Sequence, residues 1–330
     1  MLTRRETSLG VVLTALGITG AARAQANTIE INFAHHSPAG TGNDLDALTF
    51  IEALQGSLGD RVRVNYFPGG QMGNQRELVE QARLGTLEVA YANSPTLSNA
   101  VPELGVMDLP FMFDDLDHVE RVVRGDVGQM ISRLTREVLG LEVLGFMHVG
   151  FRDMLSKNRL MRLSDFQGVR FRSPEAPVYI EMFRSIGAVP VPLPWGDVYT
   201  GLQTGLIDGM ETPAIYMHST RMYEQAGYVL RTRHINTVEI PVMNAAFFDA
   251  LPGEVREAIT GAWVTAAAAN RVRAEAEPEQ AYRLLEAEGV ELVEVDVEEL
   301  REAVLPMRTA FEQRVPAGAE LIAAIAAERA

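Results

Sequence analysis

The segment GVRFRSPEA (Gly168 to Ala176) contains two arginines, spaced two residues apart, that could bind a carboxylate. The segment predicts a strand that breaks at Pro174, and alternate side chains of an extended chain share a face. Arg170 and Arg172 would therefore start on the same face, and we expect the strand geometry to lapse at Pro174 and separate them. A guanidinium group is a planar fork that can hold a carboxylate through two hydrogen bonds. The alternative is that each arginine lies on the surface or forms half of an ion pair.

Arg152 and Trp195 also occupy positions where a side chain could contact a ligand. Arg152 follows the predicted strand LEVLGFMHVGF, and ligands of open α/β folds sit at strand ends. Trp195, in VPLPWGDVY, precedes a predicted helix start and is one of two tryptophans in the chain. Its flat ring could form a wall of a ligand site. The alternative is that Trp195 is a packing residue.

Asp208 and Glu211 are a candidate carboxylate pair at the end of another predicted strand. Two carboxylates at a suitable distance can act as acid and base in hydrolysis. The alternative, which we favour, is that they are solvated or hydrogen-bonding acids.

Other catalytic and metal-binding patterns are absent from the sequence. There is no G-x-S-x-G, P-loop or H-E-x-x-H motif, and GTGNDL (Gly40 to Leu45) lacks the third glycine of a dinucleotide fingerprint. The chain has no cysteine, which excludes thiol catalysis and thiolate metal sites. His35 and His36 are adjacent, so in a strand they point to opposite faces and cannot chelate together. We therefore predict neither a metal nor a cofactor.

The charge and the N-terminus indicate an exported protein. The 330 residues carry 29 Lys and Arg against 44 Asp and Glu, a net charge of −15, which argues against a nucleic-acid partner. Residues 1–24 combine a basic start, an uncharged apolar run (Leu9 to Ala22) and the sequence Ala22-Arg23-Ala24. This pattern predicts a signal peptide cleaved between Ala24 and Gln25 and a periplasmic location. A retained anchor is the alternative, and the export route, general or twin-arginine, is left open.

The order of predicted elements indicates an α/β fold. From TIEINFAHH to LEVAYA the pattern is β-α-β-α-β, which is typical of a mainly parallel sheet covered by helices. Within it, Asn74 and Glu77 predict a capping box at a helix start. A second region of this kind begins near Leu141, with LEVLGFMHV as one strand. The last third predicts one or two long helices, with a kink at Pro278.

Four blocks of the sequence resemble one family, the DctP-type solute-binding proteins of tripartite ATP-independent periplasmic (TRAP) transporters. The blocks are FPGGQMGNQRELVEQARLGTLEVA (Phe67 to Ala90), ELGVMDLPFMF (Glu103 to Phe113), LSDFQGVRFRSPEA (Leu163 to Ala176) and PLPWGDVYTGLQTGLIDGMETP (Pro192 to Pro213). The resemblance implies two α/β lobes, joined by crossing strands and spanned by a long helix, that close on a ligand. On this basis lobe I comprises residues 25–149 and 238–277, and lobe II comprises residues 150–237 and 278–330.

The resemblance also implies a set of ligand-binding residues. Arg172 matches the arginine that binds the ligand carboxylate, whereas Arg170 matches a commonly exposed position. The other matches are Arg152, Trp195, Thr212, His36, Gln71, Glu77 and Asn93. Thr212 stands where the family often has asparagine, which puts the ligand's identity in doubt.

The implied function is a periplasmic receptor for a small organic acid, with no catalytic activity, that serves the membrane subunits of a TRAP transporter. The ligand could be a dicarboxylate, a sugar acid, a keto acid or an aromatic acid. The alternatives are a sensor module of the same fold and a hydrolase that uses the carboxylate pair.

Overall fold

The computed structural model describes residues 28–329 of the chain. The predicted signal peptide and its cleavage site between Ala24 and Gln25 lie outside the described residues. Within residues 28–329, no helix combines the length and apolar character needed to cross a membrane.

The strands of the described chain form one sheet. They are β1 (Ile29–Ala34), β2 (Val62–Phe67), β3 (Val89–Asn93), β4 (Leu141–Val143), β5 (Met147–Ser156), β6 (Arg170–Ser173), β7 (Val189–Pro192), β8 (Gly209–Thr212), β9 (Tyr228–Asn244) and β10 (Glu291–Val293). The main strand order is β2-β1-β3-β9-β5-β8-β6-β7, and β4 and β10 also pair with β9.

The sheet has two parallel ends joined by antiparallel strands. At one end β1 is parallel to β2 and β3, and at the other end β6 is parallel to β7 and β8. In the middle, β9 is antiparallel to both β3 and β5, and β5 is antiparallel to β8. The prediction of parallel β-α-β units is therefore confirmed for each end, and β5 and β9 connect the two ends.

The prediction that LEVLGFMHV forms a single strand is wrong, because the structure divides this segment between β4 and β5. Both parts pair with β9. Val143 pairs with Val242 and Met147 pairs with Glu239. Between these two pairs the β4–β5 segment has one residue more than β9, and this extra residue forms a bulge. A bulge of this kind has no clear signature in a run of apolar residues.

Helices cover both faces of the sheet. They are α1 (Gly42–Leu58), α2 (Gln75–Leu84), α3 (Ser94–Leu97), α4 (Leu116–Arg124), α5 (Asp126–Leu139), α6 (Pro177–Ser185), α7 (Val198–Thr204), α8 (Ala214–Ser219), α9 (Ala245–Ala250), α10 (Gly253–Ala287), α11 (Val297–Val304), α12 (Pro306–Arg314) and α13 (Gly318–Ala327). The predicted capping box at α2 is confirmed, since the side chains of Asn74 and Glu77 each accept a hydrogen bond from the other residue's backbone N–H.

The long helix α10 is a single element of 35 residues that continues through Pro278. It packs against α1 beside the first strands and against α8 beside the later strands, so it spans both ends of the sheet. Near its start Trp263 is buried and stacks on Phe50 of α1, with ring centroids 4.2 Å apart. This aromatic stack anchors the helix to the first end of the molecule.

The hydrophobic core consists of one large and two smaller clusters. The large cluster runs from the β3 region through β9 to α6 and the C-terminal helices. The smaller clusters lie under α1 with the first half of α10, and under α7 and α8 with the second half of α10. The continuous large cluster fixes the strand ends that carry the polar residues described next.

Candidate functional site

A cavity of about 370 Å³ lies between the two ends of the sheet. Its lining comes from loops after β1, β2, β3 and β7, from the ends of β6 and β8, and from within β5 and β9. Arg152 was expected to follow a strand and instead lies in the middle of β5. Six of the eight predicted ligand-binding residues line it: His36, Asn93, Arg152, Arg172, Trp195 and Thr212. A volume in this range is typical of small-molecule sites.

Arg172 is a buried cation without an anionic partner in the described chain. Only 6 % of the residue is exposed, and no salt bridge of residues 28–329 includes it. Its Nε donates a hydrogen bond to the backbone oxygen of Leu193 at 3.0 Å, and its guanidinium carbon lies 5.7 Å from the ring centroid of Trp195. Burial lowers the pKa of Arg172 to about 10, so it stays charged at neutral pH. The site therefore presents a positive charge that an anion can neutralise.

Arg170 lies outside the cavity, as predicted. It is exposed and forms a two-pronged ion pair with Asp208 at 2.8 and 2.7 Å. This hydrogen bonding lowers the pKa of Asp208. The strand β6 ends at Ser173, just before Pro174, as predicted, but both arginines lie within it, so this break is not what separates them. The two side chains instead have different partners: Arg170 pairs with Asp208, and Arg172 contacts Leu193 and Trp195.

Arg152 is buried like Arg172, but its charge is compensated. It makes a two-pronged ion pair with Glu211, donates to the backbone oxygen of Glu211 at 2.8 Å, and contacts Thr237 Oγ1 at 3.3 Å. Burial alone would raise the pKa of Glu211, but the charge of Arg152 beside it holds that pKa below its usual value. Arg152 can contact a ligand while contributing no net charge to the cavity.

The ion pairs also bear on the candidate carboxylate pair. Asp208 pairs with exposed Arg170, and Glu211 pairs with buried Arg152. The two acids therefore serve different arginines and do not face a common substrate position. This arrangement supports the interpretation of Asp208 and Glu211 as ion-pairing acids.

His36, Asn93 and Thr212 contribute neutral polar groups to the cavity. Burial lowers the pKa of His36 to about 3, with His35 and Arg172 adding to the effect, so its imidazole is neutral. The Nδ1 atom of His36 has no hydrogen-bond partner in the described chain. Asn93 caps α3 by accepting from the Thr96 N–H at 3.0 Å. Thr212 is buried at the end of β8.

Gln71 and Glu77 are not part of the cavity lining. The Glu77 carboxylate turns back to accept from the Asn74 N–H at 2.8 Å, so its position is set by helix capping. Gln71 is exposed in the turn that follows β2. The α2 residues that line the cavity are Gln75 and Arg76, the first two positions of the helix.

Sequence reasoning missed several ionisable residues of the lining, of which Glu239 is the buried acid. It lies in the middle of β9, is 3 % exposed, and has Gln75 Nε2 at 3.4 Å from both carboxylate oxygens. Burial raises the pKa of Glu239 to about 8. The signal in the sequence is a single acid within the apolar stretch VEIPV. Acidic side chains are rarely buried without a partner, so an acid in such a stretch indicates a functional position.

Comparison with known proteins places these features in a family. Residues 33–314 match the family described as bacterial extracellular solute-binding protein, family 7 (DctP). The C4-dicarboxylate-binding periplasmic protein DctP of Rhodobacter capsulatus is 30 % identical over 339 aligned residues, which cover 100 % of each chain. The 2,3-diketo-L-gulonate-binding periplasmic protein YiaO of Escherichia coli is 27 % identical, covering 94 % of this chain and 96 % of that protein.

Solved structures agree with this assignment. A TRAP periplasmic solute-binding protein from Polaromonas sp. JS666, bound to D-erythronate, superposes with a TM-score of 0.87 at 28 % identity. The alignment covers 92 % of this chain and 99 % of that one. The predicted α/β class, with two lobes and a long helix, is thereby confirmed. The chain belongs to the DctP family of TRAP solute-binding proteins.

Proposed function

We propose that this protein is a periplasmic receptor that binds a small organic acid in the cavity and delivers it to the membrane subunits of a TRAP transporter. The observation that carries the proposal is Arg172, a buried guanidinium group without an anionic partner in residues 28–329. A charge in this setting is costly unless it is paired, and a ligand carboxylate would supply the pairing. The ligands named for the relatives above, C4-dicarboxylates, 2,3-diketo-L-gulonate and D-erythronate, are all carboxylates.

Within this proposal the lining residues have distinct roles. Arg172 binds the carboxylate, and Trp195 covers the guanidinium group and forms one wall. The neutral imidazole of His36 and the hydroxyl of Thr212 provide further hydrogen bonds. Arg152 is held in place by Glu211 and Thr237 and offers its one remaining N–H group. Every one of these roles is binding, and the protein performs no reaction on its ligand.

We further propose the lobes as 25–149 with 238–277, and 150–237 with 278–330. The support is that β5 and β9 connect the two parallel ends of the sheet, and α10 packs against both ends. The last helix, α13, also contacts α5 of the proposed lobe I, so the C-terminal segment bridges the lobes. Export by a signal peptide cut after Ala24 completes the proposal, and N-terminal sequencing of the periplasmic protein that returned Met1 would contradict it.

The test of the receptor function is Arg172→Ala, with calorimetric titration of carboxylate ligands. Truncating one member of a buried charge pair costs ~2–5 kcal/mol, much of it because the other charge is left unpaired. The expected loss of affinity is therefore roughly 30- to 3,000-fold. Arg172→Lys should recover only part of the affinity, because an ammonium group lacks the planar fork.

The matched control is Arg170→Ala, which removes an arginine two residues away on the same strand. Arg170 is exposed and paired with Asp208, so its loss should change affinity by less than ~1 kcal/mol. If Arg172→Ala binds like the wild type while Arg170→Ala does not, the assignment of the carboxylate site is wrong. If no organic acid binds the wild-type protein, the receptor function itself is wrong.

A further inference from the structure

We propose that Glu239 on β9, three strands from Arg172 on β6, is the specificity-determining residue at the far end of the cavity, and that the ligand is a polyhydroxylated monocarboxylate. Glu239 would bind hydroxyl groups of the ligand and exclude a second carboxylate. This inference rests on the proposed function and adds to it the chemical class of the ligand. It follows from the charges, the hydrogen-bonding groups and the burial of the lining.

The charge of the cavity interior matches one carboxylate. Five residues with full charges or ionisable acids line the cavity: Arg76, Arg152, Arg172, Glu175 and Glu239. Arg76 and Glu175 are exposed and lie where solvent screens them. Arg152 is neutralised by Glu211. Among the described residues, this leaves Arg172 as the buried cation available to a ligand, which is enough for one carboxylate and not for two.

The groups around Glu239 combine acceptors with a donor. Both carboxylate oxygens of Glu239 lie 3.4 Å from the amide nitrogen of Gln75. The orientation of that amide is fixed, because its oxygen accepts from Thr96 Oγ1 at 2.9 Å. A position beside both a carboxyl oxygen and an amide N–H suits a hydroxyl group, which donates and accepts. An ammonium group has donors and no acceptor, so it could not accept from the amide N–H.

The amides of Asn43, Gln75 and Asn93 all approach Glu239, and the Gln75 contacts are long at 3.4 Å, so a ligand hydroxyl can compete for the carboxyl oxygens. The lining near it is otherwise neutral: Asn43 accepts from Tyr216 Oη at 2.9 Å and donates to Ser37 Oγ at 2.9 Å. Asn93 lies opposite Glu239 on β3. Amides and hydroxyls of this kind match a chain of hydroxyl groups better than an apolar or charged ligand end.

The ionisable groups near Glu239 do not supply a free positive charge. Arg152 on β5 is already paired with Glu211, and Tyr91 on β3 and Tyr216 on α8 both have pKa values raised by burial, with Glu239 adding to the effect. Of these two tyrosines Tyr216 lines the cavity and Tyr91 does not, so a second ligand carboxylate at this end would meet Glu239 and one neutral phenol, with no free cation to compensate its charge. Burial also raises the pKa of Glu239 to about 8, so at neutral pH its protonated form can donate to a ligand hydroxyl as well as accept.

The test uses acids that share a six-carbon chain with a carboxylate at one end and differ in the groups along the chain and at its far end. The aldonates D-gluconate, D-galactonate and L-gulonate carry hydroxyls, hexanoate carries none, adipate carries a second carboxylate, and 6-aminohexanoate carries an ammonium. Calorimetry on the wild-type protein should show the tightest binding for an aldonate, by at least about tenfold over the other three acids, the equivalent of one or two hydrogen bonds. Tighter binding of adipate or 6-aminohexanoate than of every aldonate would overturn the inference.

Two variants connect that preference to Glu239. Glu239→Met keeps the side-chain length and removes the oxygens, so it should weaken aldonate binding by about 10- to 100-fold and leave hexanoate binding unchanged. Glu239→Gln keeps a neutral polar group and should retain aldonate affinity to within about tenfold. An aldonate affinity that Glu239→Met leaves unchanged would also overturn the inference.

Arg172→Ala separates the two levels of the proposal. It should weaken every acid in the series, because all of them share the carboxylate. If Arg172→Ala has this effect while the aldonate preference is absent, the receptor function stands and the role of Glu239 is rejected. If no acid binds at all, the receptor function fails before the specificity question arises.

Discussion

Arg152 and Arg172 are buried to the same extent, with 6 % of each residue exposed, yet their surroundings differ completely. Arg152 has a carboxylate, a backbone oxygen and a hydroxyl as partners, whereas Arg172 has one backbone oxygen and a tryptophan ring. A fully partnered charge supports the fold, and an unpartnered one is available to a ligand. The two arginines are therefore expected to respond differently to substitution.

Replacing Arg152 should destabilise the folded protein more than replacing Arg172. Arg152→Met leaves the Glu211 carboxylate buried without its main partner, and breaking a buried ion pair in this way costs ~3–5 kcal/mol. The double variant Arg152→Met with Glu211→Leu removes both charges and should recover most of that loss. Urea unfolding of both variants measures the difference. A double variant no more stable than Arg152→Met would show that the pair is not coupled in this way.

At the scale of elements, the sequence predicts local signals well and long-range pairing poorly. The capping box of Asn74 and Glu77 is a local pattern, and the structure confirms it. The antiparallel pairing of β5 with β9 joins residues more than 70 positions apart, as in Arg152 with Ile235, and no local pattern indicates it. The split between β4 and β5 has the same origin, because it depends on the register of each part against β9.

The close packing of β6 and β8 gives a prediction at this scale. A Cβ atom added at Gly209 in β8 would lie 2.5 Å from Phe171 Cε1 and 2.7 Å from the backbone oxygen of Leu155. Contacts this short involve a packed ring and a backbone atom, so the strands must shift. We expect Gly209→Ala to destabilise the protein by ~1–3 kcal/mol, the usual cost of overpacking, as measured by the denaturant midpoint.

Gly227→Ala is the matched control for Gly209→Ala. Gly227 lies just before β9, has ordinary backbone dihedral angles, and has no atom within 4 Å of an added Cβ. Its substitution should leave the midpoint nearly unchanged or raise it slightly, because alanine restricts the unfolded chain. Equal destabilisation by both substitutions would indicate a general effect of removing glycine and not a steric one at β8.

At the scale of the whole molecule, the resemblance to a family indicates most of the residues that line the cavity, whereas Glu239 is identified from the structure. Six of the eight predicted residues line one cavity although they come from distant parts of the chain. Gln71 and Glu77 do not line it, because the sequence does not show which residues of α2 and of the turn before it face the cavity. Glu239 was missed because β9 was not predicted, and without its pairing to β3 and β5 an isolated acid has no position.

The arrangement of the cavity predicts that ligand binding draws the two ends of the molecule together. Arg172 and Trp195 come from one end, and His36 and Asn93 come from the other, while β5, β9 and α10 are the main connections between them. A ligand that contacts both walls stabilises the closed arrangement over open ones, because only the closed arrangement makes both sets of contacts. Small-angle X-ray scattering should give a smaller radius of gyration with a bound aldonate than without it.

The Arg172→Ala variant is the control for closure, since it keeps the fold and loses the carboxylate contact. At a ligand concentration that saturates the wild type, this variant should keep the radius of gyration of the ligand-free protein. Compaction in the variant without binding would assign the change to the solution conditions and not to the ligand. An unchanged radius in a saturated wild type would mean that the walls are already in place before the ligand arrives. The long pairing of β5 with β9 would then act as a rigid support and not as a hinge.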